Sequence, residues 1–152
     1  MAGVGSYTST LRNNGTESEG LAFLFAQDPK FIRLDKSGRK RMLELFDLAP
    51  TFSRAFDCVF FTGDGLKPIS EMSREEVILV ELKTTKKKLL DNPKGFFFGA
   101  THNEFDLAKK LGDRYRFCFI SLHPESLSYK LLSLAEVNKI IRTKRLQYQI
   151  NF

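Results

Sequence analysis

Residues 77–85 read Val-Ile-Leu-Val-Glu-Leu-Lys-Thr-Thr, so a carboxylate and an ammonium stand two positions apart in a run that otherwise has the composition of a buried strand. Side chains alternate along a strand, which puts Val77, Leu79, Glu81, Lys83 and Thr85 on one face and Ile78, Val80, Leu82 and Thr84 on the other. Glu81 and Lys83 then lie about 6 to 7 Å apart. The preceding apolar run, residues 54–62, has Asp57 as the only charged residue in its interior. If the two runs form an antiparallel hairpin centred on Ile69, Asp57 stands opposite Glu81, at the roughly 4.5 to 5.5 Å Cβ separation at which two carboxylates share a divalent cation. Without a cation, two such carboxylates raise each other's pKa. Mg²⁺, or Mn²⁺ as its substitute, takes oxygen ligands and binds phosphate at the same time, acidifying a bound water. Lys83 is placed to orient or deprotonate that water, or to neutralise the transition state. In outline this is hydrolysis of a phosphodiester. A pattern this short is more often a surface ion pair with Asp57 joined to a nearby lysine. The apolar flanks weigh against that, because unpartnered charge is costly in such surroundings.

The elements that must hold these residues follow from patterning. Residues 14–28 read as a mostly buried helix with Thr16 as N-cap and Glu19 completing a capping box. A second, amphipathic helix over 36–50 must stop by Pro50. Residues 54–62 and 75–85 are strands by their aromatic and β-branched content, separated by a Gly-, Asp-, Pro- and Ser-bearing connection. The Gly95–Ala100 stretch, with Phe96, Phe97 and Phe98 in sequence, reads as a short central strand, and its phenylalanines as core. A helix follows with a Thr101 to Glu104 capping box and a Gly112 stop, then strands over 114–122 and 127–134. A helix with a Ser133 to Glu136 box and a tail, 145–152, that reads as an edge strand complete the chain. This is an α/β domain: a central mixed sheet flanked by helices.

With 152 residues the chain has the material for one core, so residues 15–152 are expected to form a single domain after a loose Gly/Ser/Thr-rich segment at 1–14. No apolar run approaches bilayer length, and the N-terminus has neither a basic nor a long apolar region, so no membrane association and a cytoplasmic location are expected. Cys58 and Cys118 lie inside apolar runs without metal-ligand spacing and read as reduced core thiols. The net charge of +6 is carried in clumps at Arg39–Arg41, Lys86–Lys88 and Lys139–Arg145, which suits a phosphate backbone. No Gly-rich phosphate loop, Ser-His-Asp arrangement or zinc spacing is visible, which leaves kinase, esterase and zinc-hydrolase readings without support.

Asp57 followed by Glu81-Leu82-Lys83 resembles the signature of the PD-(D/E)xK nuclease superfamily, an acidic residue on one strand and Glu/Asp-x-Lys on the next. The continuation, with Asn103, Glu104, Ala108 and Tyr115, looks like the domain found at the C-terminus of the plant NO VEIN protein and in restriction-related bacterial proteins, over about residues 55–121. Gly15 to Glu19 matches that group's first helix more loosely, Phe56 stands where the superfamily name has proline, and the 62–76 connection is longer than the group suggests.

The resemblance implies a restriction-endonuclease-like core and a Mg²⁺-dependent endonuclease acting on DNA, in a restriction or phage-defence setting. Asp57 and Glu81 would be metal ligands and Lys83 the catalytic lysine. Glu19 would be a further ligand, with its capping role and Glu17 as competitors. Lys86, Lys87 and Lys88 would grip the DNA backbone, with Thr84, Thr85 and Asn103 as further contacts. Glu104 competes between the site and its own capping box. A homodimer cutting both strands, or one module of a larger nuclease, are the assemblies considered. The alternatives are a non-catalytic nucleic-acid-binding or interaction module on the same fold and a structure-specific repair or recombination nuclease. His102 reads as a surface or cap residue, and His123, before Pro124 in a loop, carries no role.

Overall fold

The computed structural model describes residues 16–144 and 150. The segment expected to be loose and, apart from Ile150, the tail expected to be an edge strand lie outside the described residues. Helix α1 occupies residues 16–27, so Thr16 lies within the helix rather than capping it. There follow β1 (Phe31–Arg33), α2 (Lys36–Leu45), β2 (Cys58–Phe61), β3 (Val77–Thr85), α3 (His102–Leu111), β4 (Tyr115–Ser121), β5 (Ser128–Leu132) and α4 (Leu134–Ile140). The five strands form one sheet in chain order. Every neighbouring pair is antiparallel except β3 and β4, which run parallel and are joined by the crossover through α3.

The β2–β3 register is the one that a hairpin centred on Ile69 requires: Cys58 faces Val80, Val59 faces Leu79, Phe60 faces Ile78 and Phe61 faces Val77. The long connection does not disturb it, since two short 3₁₀ turns, Ile69–Glu71 and Arg74–Glu76, take up its length. The β3 faces also separate as alternation demands. Val77 and Leu79 join the core beneath α2, α3 and α4, to which Met42, Leu107, Ala108 and Val137 contribute. Ile78, Val80 and Leu82 join Leu24 of α1 on the opposite face. There α1 approaches the sheet so closely that a Cβ at Gly20 would sit 2.8 Å from Thr84 Cγ2.

Local signals explain the helix boundaries. The Asp35 carboxylate accepts from Gly38 N–H at 2.6 Å to start α2, and Thr101 Oγ1 accepts from Glu104 N–H to start α3. Gly112, at φ 56°, ends α3. The Ser133–Glu136 capping box is formed in full, with Ser133 N–H donating to Glu136 Oε1 and Glu136 N–H to Ser133 Oγ.

Two expectations are corrected. The Gly95–Ala100 stretch is not a strand: Phe96 and Phe98 turn inward to meet the Phe119 ring at 5.1 and 5.0 Å, while Phe97 points outward and is 90% exposed. The fifth strand is instead β1, whose Phe31–Arg33 pairs with the outer edge of β2. Cys58 and Cys118 are buried free thiols on the α1 face, as expected, and burial raises the pKa of both. Among the described residues no helix is long and apolar enough to cross a membrane.

Candidate functional site

The site lies where β3 outruns β2. The ladder between them ends at Cys58 and Val80, while β3 continues to Thr85 with, among the described residues, only β4 paired to it. Past that point Asp57 takes over from the ladder. Its N–H donates to Val80 O at 2.7 Å, and its Oδ2 accepts the Leu82 N–H at 2.7 Å. Asp57 and Glu81 therefore stand just past the last ladder pair, where burial first and then the Asp57 charge raise the pKa of Glu81.

Two residues from other elements fix the segment that delivers Asp57. The Tyr115 hydroxyl, wholly buried at the start of β4, donates to Ala55 O at 2.6 Å. From α2, the Arg39 guanidinium donates to the carbonyls of Ser53 and Phe56 and stacks over the Phe56 ring, 5.0 Å from its centre. These contacts leave Asp57 little freedom before any ligand arrives.

Glu81 is 6% exposed and Glu104 5%. Lys83 lies between them, with Nζ 2.7 Å from Glu104 Oε1 and 3.4 Å from Glu81 Oε2. Burial pulls the Lys83 pKa down, but Glu81 and Glu104 outweigh it and hold the ammonium above the ordinary lysine value. The shorter contact is to Glu104, which leaves Glu81 crowded by Asp57; burial first, and Asp57 second, push Glu81 well above the ordinary carboxylate value. Glu81 Oε1 is buried and, among the described residues, has no hydrogen-bond partner. Glu104 thus spends its side chain on Lys83 and not on the capping box expected of it.

The third carboxyl of the cluster comes from α1, and it is Glu17. Its pKa rises from 4.5 to about 8, chiefly through a hydrogen bond to Asp57 and then through burial. Glu19, assigned to the metal from sequence, is turned away. Two residues along a helix are about 200° apart around its axis, and Glu19 is exposed beside Lys86, 3.7 Å away.

The cluster opens into a cavity of about 770 Å³, whose lining includes Glu17, Asp57, Glu81 and Glu104 together with the cationic Lys36, Arg39, Lys40 and Arg54. Lys36, Lys40 and Leu43 recur at helical spacing, so one face of α2 forms a wall of the cavity. Sequence reading named the 39–41 clump but not Lys36 or Arg54; the signal for Lys36 was its place one turn before Lys40. Of the other assigned contacts, Thr84 faces α1 on the far side of the sheet. Thr85 Oγ1 accepts the Lys87 N–H at 3.2 Å. Asn103 Nδ2 donates to Thr51 O at 3.2 Å, tying α3 to the 3₁₀ turn Pro50–Phe52. Lys88 pairs with Glu125 at 2.6 Å. None of these four residues lines the cavity.

The donor set suits a hard divalent cation. Glu17, Asp57 and Glu81 are all oxygen donors, two of them cling to protons, and one buried oxygen is unpartnered. Among the described residues no three carboxylate, histidine or cysteine groups are already spaced around a common point. Comparison with known protein families, curated proteins and solved structures finds no match for this chain.

Proposed function

We propose that this chain is a metal-dependent endonuclease with a restriction-endonuclease-like PD-(D/E)xK core, hydrolysing DNA phosphodiester bonds in a restriction or phage-defence setting. The observation that carries the reading is the convergence of Asp57 and Glu81 on one cavity with cationic walls, with Lys83 two residues along β3 from Glu81. Asp57 and Glu81 would hold Mg²⁺ or Mn²⁺, with Glu17 in place of Glu19. The bound ion would supply an acidified water and stabilise charge on the phosphoryl oxygens.

The remaining roles belong to the chain's own side chains. Lys36, Lys40 and Arg54 align the negatively charged backbone above the carboxylates. Lys83 acts as a donor of positive charge and hydrogen bonds; its carboxylate partners stabilise the ammonium and disfavour the neutral amine that a general base needs. Glu104 positions Lys83, and Tyr115 and Arg39 position Asp57.

Plasmid and linear DNA cleavage with Mg²⁺, with Mn²⁺ and with chelator tests the reading. Metal-dependent nicking or cutting is expected, reduced by at least about a hundredfold in Glu81→Gln and Lys83→Ala while DNA binding persists. A non-catalytic nucleic-acid-binding module is the second reading, favoured by the full engagement of Lys83 with Glu104 and Glu81. Metal-independent DNA binding with no cleavage under either ion decides for it.

A further inference from the structure

The segment from Lys86 to Thr101 joins β3 to α3, and its two roots meet at the candidate site. It leaves β3 shortly after Lys83 and enters α3 shortly before Glu104, and those side chains touch at 2.7 Å. The segment is pinned along its length. Leu89 is buried and its N–H donates to Ser126 Oγ at 3.1 Å. Asn92 Nδ2 donates to Phe119 O at 2.9 Å. Phe96 and Phe98 stand edge-on to each other and to Phe119.

Between these anchors two large apolar side chains project outward, Leu90 at 94% exposure and Phe97 at 90%. A lone exposed apolar residue is ordinary, but an aromatic ring held out by two half-buried neighbours that pack on Phe119 has already lost part of the backbone freedom that binding would otherwise cost. The same segment carries Lys86, Lys87, Lys88 and Lys94 against the single acid Asp91. Among the described residues neither Lys87 nor Lys94 takes part in an ion pair. Apolar tips amid unpaired cations suit a polyanion whose monomers carry flat apolar faces.

We infer that Phe97 is a base-stacking residue and that the substrate of the proposed nuclease is nucleic acid with unpaired bases, either single-stranded or at a single-strand to duplex junction. An aromatic ring stacks only on a base whose face is open; in an intact duplex both faces are covered, and prising a step apart is costly. Lys87 and Lys94, on the same segment, attract the backbone while the ring takes the base. The inference rests on the nuclease reading and refines its substrate.

The chain has no tryptophan, so Phe97→Trp installs a single indole reporter at the tip. The full chain, with chelator present to prevent cleavage, is titrated with an oligonucleotide as single strand, duplex and forked junction. Tighter binding of the single strand and junction than of duplex is expected, with quenching of the indole by those two ligands. Phe97→Ala should weaken them by about five- to a hundredfold, the range spanned by base–aromatic stacking, and leave duplex binding unchanged. Equal affinities of wild type and Phe97→Ala for all three ligands overturn the base-stacking role, even if the protein cuts duplex DNA. Indole quenching that follows protein concentration instead of nucleic acid overturns it in favour of a second copy of the chain as the occupant. Absence of binding to every ligand overturns the nuclease reading as well.

Discussion

Strand β3 behaves as two different objects along its nine residues. Over Val77–Val80 it is hydrogen-bonded to β2 and carries core side chains, Val77 and Leu79 on one face and Ile78 and Val80 on the other. Over Glu81–Thr85 it keeps β4 but loses β2, and the face that held Val77 and Leu79 now holds Glu81 and Lys83. The backbone conformation does not change; one neighbour is removed. That single loss frees the Leu82 N–H for Asp57 and gives Glu17 of α1 access to Asp57. The closed half supplies stability, and the open half spends some of it on crowded carboxyl groups.

Truncation in the closed half breaks this contrast most directly. Leu79→Ala removes a fully buried side chain and should cost about 2 to 5 kcal/mol in denaturant unfolding. The open half should respond to pH instead. Glu17 and Glu81 have folded-state pKa values raised above the unfolded ones, so their contribution is fully present below about pH 4.5 and declines as pH rises, for Glu17 through about pH 8. Without divalent cation the melting temperature should fall across that window, and Glu17→Gln should flatten the fall; a cation held by these carboxylates should restore stability more at the upper end than at the lower. The smallest expected effect is Tyr115→Phe, at about 1 to 2 kcal/mol from the lost bond to Ala55 O. Because that bond positions Asp57, cleavage should fall by more than this loss of stability explains, which paired melting and cleavage assays measure.

The β2–β3 register, the alternation of β3, and the α2, α3 and α4 helices were legible because each rests on a local signal. A loop centre sets the register, apolar periodicity sets the faces, and Thr101, Gly112 and Ser133 mark helix ends. What escaped had no such signal. Strand β1 is three residues long, too short for any period, and exists because β2 offers it an edge. The choice between Glu17 and Glu19 depends on the rotation of α1, which is set by close packing of Gly20 on Thr84 and not by the helix's own sequence. The three phenylalanines alternate in and out as a strand's would, but among the described residues no partner strand lies beside them, so in–out alternation was a necessary sign of a strand and not a sufficient one.

The bond from Leu82 N–H to the Asp57 carboxylate has a consequence for solubility and for the choice of substitution at Asp57. An unpaired strand edge with open backbone donors is a template on which another chain can add a strand. Asp57 occupies that donor with a charged side chain, so the residue that gathers the carboxyl cluster also blunts the open end of β3. Asp57→Ala would remove both at once, leaving a protein prone to edge-to-edge aggregation, whereas Asp57→Asn keeps an oxygen for Leu82 while withdrawing the charge.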